Sequence, residues 1–388
     1  MKMEGEQTGF QCSIVRGGTS KGLFLRENEL PPPGALRDAI ILRLLGSPDA
    51  RQIDGLGGAN SLTSKVCIIG PSNKPGVDVD YTFGQVAVDK AKIDWQGNCG
   101  NLSSAVGVYA IDKNYVKAEE PYTGVKVYNT NTKKLLTVRA PVKNGRTLCE
   151  GDYAIPGVPG TGAKLRVDFH DPEGGVTGKL LPTGNAKDTV DLGAKGKFTF
   201  SVIDSVTPVV YLLAHELGLK GTELPTDVEN MPKILALMEE LRSTAAVLAG
   251  IVSRKEEATE KSPAFPKVGF VSPPQDYINP EGKQVKADKV DLVARLGSMQ
   301  KMHRAYMIGA AISTGAAAHI PGTVIWDVLR ESARKASKLR IGHPYGPMEV
   351  DIVCENGKIV NEGVYRTGRM LLDGIAYIPR SILQGTAP

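Results

Sequence analysis

The sequence offers little material for metal or disulfide chemistry. Its 388 residues include five cysteines and five histidines. Cys12, Cys67, Cys99, Cys149 and Cys354 form no C-x-x-C pair, and the histidines lie far apart, so no cluster has the spacing of a metal site. Free thiols in a reducing, cytoplasmic compartment are the expectation. No G-x-G-x-x-G opens a helix after a strand, and no Gly-x4-Gly-Lys-Ser/Thr is present, so no nicotinamide, flavin or other cofactor is expected. The net charge is +5, yet no block of five or six basic residues occurs, so no nucleic-acid partner is expected. The longest weakly charged run, 307–326, is broken by Gly309, Gly315, His319, Pro321 and Gly322, so a buried loop-and-helix is expected rather than a membrane span. Residues 1–7 lack an apolar signal region.

What is present is the composition of a globular enzyme, 41% hydrophobic and 23% charged, with 44 Gly and 25 Pro that imply many turns and short strands. A chain of this length predicts two domains. Strands are expected at 10–15, 23–25, 66–69, 78–88, 125–128, 135–142 and 165–169, with a helix at 35–45. The second half repeats the order: strands at 197–203, 209–214 and 267–271, helical periodicity at 227–251 and 290–306, and closing strands at 351–353, 363–365 and 375–378. The boundary is placed between 187 and 188.

Chemistry concentrates in Trp95-Gln-Gly-Asn98-Cys99-Gly100-Asn101-Leu102, followed by apolar residues at helical spacing. Cys99 falls at or just before a helix N-terminus, where free N–H groups attract anions and lower a thiol's pKa. A structural cysteine at an ordinary helix start reads equally well. Gly18 to Gly22 matches G-x-S-x-G, but a strand rather than a helix follows, so an anion-holding turn is preferred to a hydrolase elbow. A second Gly/hydroxyl loop, 55–65, ends at Lys65, just before a buried strand. In the second half, Ser313-Thr314-Gly315 introduces small residues at another helix start. Two such helix N-termini facing one cleft would suit an anion with two carboxylates. Cys12, Cys67, Cys149 and Cys354 read as core thiols.

Arg16-Gly-Gly-Thr-Ser-Lys-Gly22, Gln52-Ile-Asp-Gly-Leu-Gly-Gly-Ala59, Thr63-Ser-Lys65, Asp80-Tyr-Thr-Phe-Gly-Gln85, Gly97-Asn-Cys-Gly-Asn101, Pro182-Thr-Gly-Asn185, Pro321-Gly-Thr323 and Gly342-His-Pro344 together resemble the PrpF family. That family includes methylitaconate Δ-isomerase, 2-methylaconitate isomerase and 4-oxalomesaconate tautomerase. Asn129-Thr-Asn131 and Ser262-Pro-Ala-Phe-Pro266 are more similar to the methylitaconate branch. The resemblance implies an α+β chain of two similar diaminopimelate-epimerase-like domains, each a strand-rich barrel-like sheet around a central helix, with the active site in the cleft between them. They would cover 1–187, with Lys65 and Cys99, and 188–388, with the Ser313-Thr314-Gly315 helix start. Epimerases of this fold use two cysteines; Cys99 matches the first and Ser313 stands at the second. The resemblance also implies Lys65 as acid/base partner of Cys99.

The implied reaction is an allylic proton shift in a small unsaturated di- or tricarboxylate, most like methylitaconate/dimethylmaleate or 2-methylaconitate. A base removes a proton one carbon from the double bond, and the dienolate is reprotonated two carbons away. Helix N–H groups stabilise the developing charge. Lys65 and Cys99 would flank the substrate, Lys65 neutral through desolvation and Cys99 a thiolate. Thr19, Ser20, Asn98, Gly100 and Asn101 would hold one carboxylate, and Ser313, Thr314 and Gly315 another. Arg16 reads either as a carboxylate clamp or as a structural arginine on loop carbonyls. His303 reads as a site residue or a packed core histidine, and Asn185 as a substrate contact or a tight turn. Competing classes are an oxalomesaconate-type keto–enol tautomerase or aconitate isomerase, an amino-acid racemase, a carboxylate-binding protein and an accessory protein to an aconitase-like iron–sulfur dehydratase. The small carboxylate is the expected partner; a homo-oligomer is compatible with the chain.

Overall fold

A computed structural model of the chain describes residues 2–384. The described residues divide into two compact units, one formed by the chain up to Val167 and again from Tyr365, the other by Asp168–Val364.

In the first unit, β1 (Gln7–Gly17) and β2 (Ser20–Arg26) form an antiparallel hairpin. Helix α1 (Ala35–Leu45) crosses over to β3 (Lys65–Pro71), which pairs parallel with β2. β4 (Val79–Val86) returns antiparallel to β3. Helix α2 (Gly100–Asp112) crosses over to β5 (Tyr122–Asn129), parallel to β4, and β6 (Lys134–Lys143) returns antiparallel. Parallel neighbours need a long crossover, and here each crossover carries a helix. α2 is central: every residue from Asn101 to Ile111 is buried. Its small residues permit this, since a Cβ on Gly107 would overlap the Val138 side chain of β6.

The second unit repeats the alternation. β7 (Lys197–Ser205) and β8 (Thr207–Leu213) are antiparallel. Helix α3 (Pro232–Leu248) leads to β9 (Lys267–Ser272), parallel to β8. β10 (Leu292–Ser298) is antiparallel to β9, and helix α4 (Ile308–Ala317) leads to β11 (Lys338–His343), parallel to β10. β12 (Gly346–Glu355) then pairs antiparallel with β11. All ten residues of α4 are buried, as in α2. The duplicated α+β pattern expected from the sequence is therefore present in the pairing itself.

Several sequence expectations change. The division lies at 167/168 rather than 187/188, and residues from 365 onward return to the first unit. The cause is the C-terminal strand Gly368–Pro379, which pairs antiparallel along β1 from Gln7 opposite Pro379 to Gly17 opposite Gly368. The 290–306 stretch is not helical, because it contains β10, flanked by β9 and β11. Every residue of β10 but the last is buried, so both of its faces are covered, it shows no alternation, and its apolar run mimics helical spacing. Arg295 adds to the ambiguity: it is fully buried, and its guanidinium donates to the carbonyls of Thr222, Glu223, Ala294 and Gly342. The 227–251 periodicity is divided between a short helix, Pro225–Glu229, and α3, which starts at Pro232. Cys12 and Cys67 are core thiols, but Cys149 and Cys354 are exposed. Among the described residues no helix is long and apolar enough to cross a membrane.

Candidate active site

Lys65 opens β3 and is only 7% exposed. Its Nζ donates to Gln85 Oε1 at 2.6 Å and lies 5.3 Å from the centroid of the Phe83 ring. The antiparallel register sets Gln85 of β4 directly across from Lys65. Gln85 is itself fixed, its Nε2 donating to the carbonyls of Ser61 and Ser64 at 3.2 and 2.9 Å. Gln52 braces the same loop, donating to Ser64 Oγ at 2.7 Å and accepting from the Ala59 amide at 2.8 Å. The Gly/hydroxyl loop thus holds the partner of the lysine.

Cys99 is the N-cap residue of α2, buried and in extended conformation, with φ −113° and ψ 100°. Its carbonyl accepts the Ser103 amide at 2.8 Å. Its side chain does not cap the helix, and the first turn carries no acidic residue. The amides of Gly100, Asn101 and Leu102 have no carbonyl a turn earlier to bind, so this end carries partial positive charge. Asn131 fixes the approach to Cys99: its Nδ2 donates to the carbonyls of Phe83 and Trp95 at 2.9 and 2.6 Å, and its Oδ1 accepts the Phe83 amide at 2.8 Å.

Cys67 lies two residues beyond Lys65 and therefore on the same face of β3. Its Sγ sits 3.9 Å from the Tyr81 hydroxyl. Burial pushes the Cys67 thiol well above its ordinary range; Cys99 adds to the rise and Lys65 opposes it. Burial likewise raises the Tyr81 phenol, with Cys67 and Cys99 adding to the rise. Lys65 thus lies at the start of a strand and Cys99 at the start of a helix of the same unit. Gly22 lies between the two, since a Cβ there would sit 2.8 Å from Leu102 Cδ1 in the first turn of α2 and 3.4 Å from Lys65 Cβ.

The β1–β2 turn closes over the start of α2. Gly18 has φ +49°, and a Cβ on it would overlap Asn101 Oδ1. Asn101 Nδ2 donates to Thr19 Oγ1 at 2.9 Å, and Asn98 Oδ1 accepts Ser103 Oγ at 3.3 Å. Ser20 is buried, and its Oγ has no partner among the described residues. Thr19, Ser20, Asn98, Gly100 and Asn101 are thus gathered at one place. Arg16 Nη1 donates to Gly18 O at 3.1 Å, Thr367 O at 3.0 Å and Thr367 Oγ1 at 3.1 Å, which ties the turn to the C-terminal segment.

The remaining expected residues belong to the second unit. Ser313, Thr314 and Gly315 do not start a helix. α4 begins at Ile308 after an extended Met307, which leaves these residues in its interior. Ser313 Oγ donates to the carbonyls of Ser205 and Thr207 at 2.7 and 2.5 Å, and Thr314 Oγ1 to Ala310 O at 2.8 Å. A Cβ on Gly315 would press on Glu362 Oε1 at 2.6 Å. The small residues there record close packing, not a helix start. His303 precedes α4, its Nδ1 accepting the Ala305 amide at 3.1 Å. Asn185 is exposed in a turn and donates to Asp188 Oδ1 at 2.7 Å. Among the described residues no group of three or more His, Cys, Asp or Glu side chains could hold a metal ion.

Sequence reasoning missed Gln85 as the partner of Lys65, although the register of two adjacent strands would have paired them. It also missed Arg366, whose buried guanidinium donates through Nε to Asn101 Oδ1 at 3.1 Å and through Nη1 to Tyr365 O at 2.6 Å. No local motif marks that arginine, because only the return of the C-terminal segment brings it near α2.

This arrangement occurs in a chain with clear relatives. It is 45% identical over 379 residues to the 3-methylitaconate isomerase of Eubacterium barkeri, covering 97% of this chain and 99% of the relative. It is 38% identical over 386 residues to the 2-methyl-aconitate isomerase of Shewanella oneidensis, covering 95% and 96%. It is 37% identical over 381 residues to the 4-oxalomesaconate tautomerase of Pseudomonas putida, covering 98% and 99%. The crystal structure of a methylitaconate Δ-isomerase superposes with a TM-score of 0.85 at 45% identity, over 98% of each chain. A hydroxyproline epimerase from Agrobacterium vitis, at 13% identity and a TM-score of 0.51 over 96% and 93% of the two chains, shares the racemase/epimerase fold. The PrpF protein family model matches residues 7–379, and the chain belongs to the PrpF family.

Proposed function

We propose that this chain moves a carbon–carbon double bond by proton transfer in a small unsaturated di- or tricarboxylate, most like methylitaconate/dimethylmaleate or 2-methylaconitate. That it is an isomerase acting on small carboxylates follows from its relatives, two isomerases and a tautomerase of such acids that align with it over nearly the whole of both chains. The finer reading assigns Lys65 and Cys99 as the proton-transferring pair. One group takes the allylic proton and the other returns a proton two carbons away, so the double bond shifts without net redox change and without a cofactor. The first-turn amides of α2, with Thr19, Ser20, Asn98 and Asn101, hold a carboxylate and stabilise the negative charge that spreads onto it in the dienolate.

The observation that carries this reading is the placement of Lys65 at the head of β3 and of Cys99 at the N-cap of α2, with Gly22 packed between Lys65 and Leu102 of that helix's first turn. Burial raises the Cys67 thiol well above its ordinary range, which disfavours it as the base. Proton NMR in D2O with methylitaconate, 2-methylaconitate, cis-aconitate and 4-oxalomesaconate tests the proposal. Double-bond migration with deuterium at the allylic carbon is expected from the wild type and from neither Lys65→Ala nor Cys99→Ser. Undiminished turnover in both variants overturns the residue assignment. Turnover of 4-oxalomesaconate alone replaces the double-bond shift by keto–enol tautomerisation.

A further inference from the structure

Arg366 stands behind the carboxylate-binding end of α2. Its Nε donates to Asn101 Oδ1 at 3.1 Å, and the opposite end of that carboxamide, Nδ2, donates to Thr19 Oγ1 at 2.9 Å. The arginine therefore fixes which way the Asn101 amide faces, because only the oxygen can accept from a guanidinium. Its stem packs under the turn as well: a Cβ on Gly18 would lie 3.0 Å from Arg366 Cδ. The same corner holds Ser20 Oγ, buried and without a partner among the described residues, and a helix whose first turn carries no acid. Burial lowers the Arg366 guanidinium to about 10, the Tyr153 phenol opposing the shift. A buried cation is stabilised by an anion that arrives with its own negative charge.

We propose that Arg366 is a positioning residue for the substrate carboxylate: through Asn101 it orients the donor that meets the carboxylate, and its charge makes this corner selective for a carboxylate over a neutral group. The inference rests on the proposal that the start of α2 binds a substrate carboxylate.

The test compares wild type, Arg366→Gln, Arg366→Lys and Asn101→Asp, all checked for folding by circular dichroism. Binding of methylsuccinate, a saturated dicarboxylate, and of its two monoamides is measured by calorimetry, alongside turnover of methylitaconate. Arg366→Gln is expected to weaken methylsuccinate roughly ten- to hundredfold. One monoamide, lacking the carboxylate that enters this corner, should change by less than about threefold, and Arg366→Lys should recover part of the loss. Asn101→Asp places a carboxylate against Arg366 Nε, so it should fold and lose methylsuccinate binding to a similar degree. Equal weakening of methylsuccinate and both monoamides means a merely structural arginine and overturns the inference. So does wild-type affinity in Arg366→Gln, or in Asn101→Asp should Arg366→Gln fail to fold. Failure of the underlying reading looks different: the wild type itself would then bind methylsuccinate no better than either monoamide.

Discussion

Replacing Gln85 tests whether Lys65 works as a positioned group. Gln85 Oε1 accepts from Lys65 Nζ at 2.6 Å inside a buried corner. A hydrogen bond involving a charged group contributes about 1.5–3 kcal/mol. If Gln85→Leu removes that contribution from the transition state, kcat/KM falls by about 10- to 150-fold. The loop at Ser61 and Ser64 also loses two donors, so some stability is lost with the activity. Gln85→Glu separates the two effects. It keeps the chain length and the acceptor but adds a negative charge that favours the ammonium form of Lys65. A lysine acting as base loses rate at neutral pH and recovers it as pH rises; a lysine acting as acid keeps or gains rate. The assay is the pH profile of kcat/KM for the unsaturated acid, with unfolding midpoints measured in parallel. Activity within twofold of wild type in a folded Gln85→Leu protein would refute the claim that Gln85 sets the lysine.

Three further outcomes are expected. Gly107→Ala forces a methyl into Val138 and should destabilise the first unit by about 1–3 kcal/mol, read by denaturant unfolding; a neutral result would mean that α2 and β6 can separate freely. Brief treatment with iodoacetamide should label exposed Cys149 and Cys354 and leave buried Cys12 and Cys67 intact, as mapped by mass spectrometry, with Cys12 further protected because burial raises it to about 11. Glu362 is fully buried, with Oε1 lacking a partner among the described residues, and burial raises its carboxyl well above 4.5. The folded state thus binds this proton more tightly than the unfolded state does, so stability falls as pH rises above the unfolded value. Glu362→Gln should therefore gain stability over wild type at pH 8 relative to pH 4; an unchanged difference between those pH values would refute the assignment.

The residues that made the site legible are those whose chemistry depends on local sequence. Cys99 could be placed at a helix start because Gly97 and Gly100 flank it and small residues follow. Lys65 could be placed at the head of a strand because a glycine loop ends there. Arg366 and Gln85 were not legible, because their roles depend on partners brought together by strand pairing rather than by spacing. The Ser313 region failed for another reason. A helix buried on every face needs small residues along its whole length, so smallness does not mark its first turn.

Topological duplication carries one step beyond sequence similarity. β3 in the first unit and β9 in the second occupy equivalent places, each the parallel partner reached by the first helical crossover. Each begins with a buried lysine, Lys65 and Lys267. Lys65 Nζ donates to Gln85 on the following antiparallel strand; Lys267 Nζ donates to Ser298 on its equivalent at 2.8 Å. Each also lies over a phenylalanine, Phe83 at 5.3 Å and Phe265 at 5.1 Å from the ring centroid. The helix that follows differs: α2 begins at a cysteine, α4 at Met307, which can neither give nor take a proton. A lysine at the head of this strand is thus a property of the duplicated frame, and proximity to a thiol separates Lys65 from its counterpart. If position alone conferred reactivity, the two lysines would be interchangeable. On the proposed pairing with Cys99 the first unit is the one that moves a proton, so Lys65→Ala should abolish isomerisation whereas Lys267→Ala should leave the deuterium-exchange step running.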